Sequence, residues 1–128
     1  MARRRRSRRL VVGDVTYRWS VRHRHDGGVD DGGRPRYSGC REVLTIRPDD
    51  ARGWLEVVFR GGAGRMVADG LLHAGAVVAA DGRGLNLNEP GVVRALLDQA
   101  RAHGWRIDEP HRTEVDGWTL FDAVVGRG

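Results

Sequence analysis

A chain of 128 residues fits one domain that can bury a modest core without disulfides. Its single cysteine, Cys40, excludes an intramolecular disulfide, and no apolar run approaches the length of a membrane span. The net charge of +5 suggests nucleic-acid binding until the charges are located. Six of the 22 basic residues are Arg3, Arg4, Arg5, Arg6, Arg8 and Arg9, so residues 10–128 hold sixteen arginines against seventeen carboxylates, a balance of −1.

No basic residue is lysine, and glycine and alanine are abundant, as GC-rich coding would produce without any selection for guanidinium groups. A lone cysteine fits a reducing compartment, and the arginine-rich start is not followed by the apolar segment of a signal peptide, so the expected location is the cytoplasm. Residues 1–9 read as a disordered basic arm, because like charges repel and nothing apolar anchors them before Leu10. Such an arm is either a phosphate-binding tail or a solvated terminus, including one produced by a misassigned start.

From Leu10 the pattern changes. Leu10–Val12, a Gly13-Asp14 turn and Val15–His23 predict a β-hairpin, with Val15, Tyr17, Trp19 and Val21 inward and Thr16, Arg18, Ser20 and Arg22 outward. Arg18, Arg22 and Arg24 thus form an exposed row. His23 and His25 continue the inward parity, and two histidines at i, i+2 on a strand can share a metal, with Asp26, His73 or Cys40 as further donors. No second half with ligand spacing accompanies them, so the reading at this level is a strand end, with no metal.

Asp26–Gly39 reads as a long flexible loop of Gly, Asp, Arg and Pro. Glu42–Arg47 and Trp54–Arg60 are two further strands, with Leu44, Ile46, Leu55, Val57 and Phe59 inward. The glycines of 61–64 lack the Lys-Ser/Thr and helix of a phosphate loop and read as a turn. Val77–Ala80 and Leu85–Leu87 around Asp81-Gly82-Arg83-Gly84 predict a second hairpin, with Leu71 and Leu72 over a core edge and His73 a surface or packing residue.

Asn88–Gly104 is the clearest helix. Val92, Val93, Leu96, Leu97 and Ala100 make one apolar stripe, Asn88 is expected as the N-cap before Pro90, and Gly104 as the left-handed C-terminal stop. Asp108–Arg112 is a polar connection, and the spacing of Trp118, Leu120, Phe121, Val124 and Val125 favours a short C-terminal helix over a strand.

Tyr17–His25 (YRWSVRHRH), Leu85–Leu97 (LNLNEPGVVRALL) and Asp116–Phe121 (DGWTLF) together resemble short uncharacterised proteins of GC-rich bacteria. That resemblance spans most of the chain, carries no activity with it, and implies only that the three segments belong to one compact module.

The expected architecture is therefore α+β: an antiparallel meander of about four strands packed on one main helix, a small second hairpin and a short C-terminal helix, as a single domain over 10–128. Trp19, Trp105 and Trp118 are expected near the sheet–helix seam. No serine, cysteine or carboxylate pair stands in a catalytic context, so no enzyme and no cofactor are expected. The leading functional expectation is a non-enzymatic interaction module with a protein partner. Its rival is a nucleic-acid-associated protein using the arm (Arg3, Arg4, Arg5, Arg6, Arg8, Arg9) and the row Arg18, Arg22, Arg24. A metal-dependent enzyme built on His23 and His25 comes third.

Overall fold

The computed structural model describes residues 7–29, 31–33, 35–67 and 75–126, with the backbone alone at 27–29 and 35–38. Two sheets and two helices form an α+β fold. Strands β1 (Arg8–Val12), β2 (Val15–Val29), β3 (Pro35–Pro48) and β4 (Trp54–Arg60) make the expected antiparallel meander. Its first turn places Gly13 at φ 60, as the opening residue of a two-residue hairpin loop requires.

Four boundaries differ from the sequence reading. Arg8 and Arg9, expected in the arm, lie in β1 opposite Trp19 and Arg18, because the hydrogen-bond ladder continues past the last apolar residue. Of the remaining arm residues Ser7 is exposed and 1–6 lie outside the described residues, as do Leu71, Leu72 and His73. The expected loop at Asp26–Gly39 is instead largely hairpin: Gly27 pairs with Tyr37, Gly28 with Arg36 and Val29 with Pro35, after a register shift between Arg24 and Asp26. Backbone pairing needs no apolar side chains, so composition hid it.

The polar connection stays irregular up to His111, and a fifth strand that the sequence reading did not place, β8 (Arg112–Asp116), follows it, parallel to β4 at the sheet edge. A parallel neighbour is reached only by a crossover, and the helix supplies it. Finally, the second hairpin, β6 (Ala76–Ala79) with β7 (Gly84–Asn86), gains a third strand, β5 (Arg65–Val67).

Helix α1 spans Pro90–Ala102 and buries Val93, Leu96, Leu97 and Ala100, the expected stripe. Gly104 follows at φ 109. Asn88 does not serve as N-cap: Glu89 holds that position without a side-chain capping bond, and the Asn88 N–H donates to Asn86 Oδ1 at 3.0 Å. The proline at the first helical position lowers the need for a cap, since one donor is already gone. Helix α2 spans Trp118–Val125, as the spacing predicts.

One face of the large sheet carries Tyr17, Trp19, Val21, Leu44, Ile46, Leu55, Val57 and Phe59 into a single core with α1, α2, Val67 and Val77. Trp118 stands edge-on to Phe59 with ring centroids 5.3 Å apart and donates its indole N–H to Arg60 O at 2.9 Å. Trp19, Trp105 and Trp118 all belong to this core. No described helix is long and apolar enough to cross a membrane.

Candidate functional site: a basic sheet face and a buried carboxylate–histidine pair

The opposite face of the large sheet is open, and strand parity decides what it carries. Register places Arg9 opposite Arg18, and Arg18 opposite Arg47; further along the sheet, Arg24 is opposite Arg41, and Arg41 opposite Arg60. Arg22 stands between these rows, opposite Val43. Like charges directly opposite on one sheet face repel, so the arrangement costs stability. Part of the repulsion is relieved: Arg18 lies 3.4 Å from Asp49, Arg60 3.2 Å from Glu114, Arg41 3.8 Å from Asp26, and Arg112 3.3 Å from Glu56. Among the described residues Arg9, Arg22, Arg24 and Arg47 make no ion pair; Arg47 instead lies 4.6 Å from the Trp54 ring centroid, a cation–π stack.

The same face buries Val43 and Val58, each 3 % exposed, and neither belongs to the core that the described helices share. Their register neighbours include Arg22 and Asp116, with Arg41, Arg60 and Glu56 one row away; arginine stems cover apolar surface in this way while the guanidinium stays in water. The expected row Arg18, Arg22, Arg24 is thus one edge of a larger basic field. Arg41, Arg47, Arg60, Arg112 and Trp54 escaped the sequence reading because only register brings them beside it. Parity on β3 and β4 would have put Arg41, Arg47, Trp54 and Arg60 outward.

Arg8 belongs elsewhere. Its parity matches Trp19, over whose ring its guanidinium sits at 4.6 Å, and it donates to Asn88 O at 2.7 Å. It ties β1 to the start of α1, so the structure places it on the core side of the sheet, apart from the row Arg18, Arg22, Arg24. Arg9 stays on the basic face.

On the core side, near the other end of β2, sits a second constellation. Glu42 is fully buried and pairs in register with His23. His23 Nδ1 donates to Glu42 Oε1 at 2.6 Å, and the Gly75 N–H donates to Oε2 at 3.2 Å. A carboxylate removed from water costs several kcal/mol unless charge-assisted bonds offset it, and these two donors contribute to that offset. The His25 ring lies 5.6 Å from that of His23, tilted by 45°. Sequence reasoning found the histidines and missed Glu42, whose inward parity with Leu44 and Ile46 was the available signal. Among the described residues no group of three or more His, Cys, Asp or Glu side chains converges as metal ligands. Cys40 is half-buried against the core and its carbonyl accepts from the Gly61 N–H at 2.9 Å.

The chain matches no protein-family model, no curated protein and no solved structure.

Proposed function

We propose that this protein is a nucleic-acid-associated binding module that holds a phosphate backbone on the open face of its large sheet. The observation that carries the reading is the like-charged cross-strand register, Arg9–Arg18–Arg47 and Arg24–Arg41–Arg60, with Arg22 between. A fold that tolerates such repulsion gains from it when a polyanion neutralises the field and releases its own counterions. Contacts of this type position a backbone and carry little sequence preference. The near-neutral body, at −1 over residues 10–128, is no objection, because the charges are segregated by face.

The test is fluorescence anisotropy of the full chain with labelled single strands and duplexes across a salt series. On single strands the log–log salt slope changes by about 0.7 for each phosphate that the protein neutralises. Replacing Arg22 and Arg24 together by Ala should weaken binding and flatten the slope by between one and two such steps. Equal affinity for polyglutamate would transfer the reading to the rival, an acidic protein partner. Unchanged nucleic-acid affinity in a variant lacking Arg9, Arg18, Arg22, Arg24 and Arg47 would end it.

A further inference from the structure

Glu42 is the only carboxylate with no exposed surface among the described residues, and the binding face makes no use of it. Its effect is chemical as well as architectural. With Nδ1–H donated to the carboxylate, neutral His23 carries its lone pair on Nε2, the acceptor nitrogen, and the side chain is 23 % exposed. The second imidazole, exposed His25, stands 5.6 Å away. Two histidines at such a separation, one oriented by a buried carboxylate, form the arrangement that proton transfer to and from a single reacting centre requires.

What reaches them follows from the sheet. In β2 the register turns Arg22 and Arg24 to the open side and His23 to the other, and the ring of His25, at the register shift, stays beside that of His23. At this end β4 has stopped at Arg60, and the described β1 at Arg8 opposite Trp19. Beyond those points β2 and β3 are the only described strands of the large sheet that continue, and a strand held by Arg24 and Arg41 can pass around them to the imidazoles.

We infer that His23 and His25 are the general base and general acid of a centre that cleaves single-stranded RNA by transesterification, with Glu42 as the positioning residue; this rests on the nucleic-acid reading above. His23 Nε2 takes the proton of a ribose 2′-hydroxyl. The 2′-oxygen bonds to the adjacent phosphorus, the phosphorus–5′-oxygen bond breaks, and protonated His25 delivers its proton to the leaving 5′-oxygen. The products are a 2′,3′-cyclic phosphate and a 5′-hydroxyl. Proton exchange with water restores both rings, and no oxidant, metal or further reactant enters the balance.

The experiment incubates the full chain with end-labelled single-stranded RNA, and with DNA of the same sequence, in the presence of a chelator. The expected result is RNA fragments ending in cyclic phosphate and intact DNA. His25→Ala, at an exposed position, should keep the fold and lower the single-turnover rate by roughly a hundredfold or more. His23→Ala should do the same where it folds. Glu42→Gln should lower the single-turnover rate and change the pH profile of cleavage at a folded fraction matched to wild type by circular dichroism, a change that loss of folded protein alone would not produce. Intact RNA with the wild-type chain, equal rates with His25→Ala, or equal cleavage of DNA would each overturn the inference. RNA bound but uncut would do so while leaving the binding reading in place; RNA unbound would end both.

Discussion

The two faces of the five-stranded sheet are made by the same strands yet are stabilised differently. The inner face buries Tyr17, Leu44, Ile46, Leu55, Val57 and Phe59 completely against helices and the second sheet. The outer face buries only Val43 and Val58 to a comparable extent, beneath charged side chains whose heads remain in water. Closing one face with rigid elements fixes the fold; closing the other with flexible stems leaves a charged surface that a ligand can rearrange. The two buried carboxylates divide in the same way. Glu42 on the inner face accepts from an imidazole and a backbone amide, whereas Glu56 on the outer face accepts from the Trp54 indole at 3.2 Å and from Arg112 at 3.3 Å.

The contrast can be broken at graded cost. Leu96→Ala, on the inner side, should destabilise by about 2–5 kcal/mol, because α1 is held across its length and cannot collapse into the void. Chemical denaturation with an unchanged m-value would measure it, and a loss below roughly half a kcal/mol would place Leu96 outside the core. Val43→Ala, on the outer side, should cost less, on the order of 1–2 kcal/mol from about 0.8 kcal/mol per buried methylene-sized group, since arginine stems can follow the retreating surface. Equal losses at the two sites would mean that the outer face is packed as rigidly as the inner.

Tyr17→Phe sharpens the inner face from another side. The Tyr17 hydroxyl is buried without a hydrogen-bond partner among the described residues, so removing it should be neutral or stabilising by up to about 1 kcal/mol. Burial also pushes the Tyr17 phenol above its ordinary value. Its folded value being raised, the Tyr17 contribution to stability is fully present below about pH 10 and is lost as pH climbs above that towards the folded value, a loss that Tyr17→Phe should remove. A denaturation series from about pH 8 to about pH 11 on both chains, bracketing the ordinary tyrosine value, reads the difference. Smallest of all, Arg22→Ala with Arg24→Ala should change stability by no more than about 0.5 kcal/mol while weakening phosphate binding. Loss of the fold instead would make the arginines structural covers first.

Local patterning was enough for the meander, for the stripe of α1, for the inward Trp19 and for the short α2, because periods of 2 and 3.6 residues state which side of an element must leave water. Gly104 was equally legible, since a residue ending a helix at φ 109 has few alternatives to glycine. The sequence also determined that Arg18, Arg22 and Arg24 point one way and His23 and His25 the other. It did not determine neighbours. That β8 joins β4 in parallel, that Arg8 closes over Trp19 while Arg9 faces outward with Arg18 and Arg47, and that Glu42 meets His23 are consequences of register. Register is fixed by which residues of distant strands share the core, and shifting it by one residue would turn every one of these side chains to the other face. The basic field and the carboxylate–histidine pair are therefore properties of the folded sheet, built from residues whose directions were readable and whose partners were not.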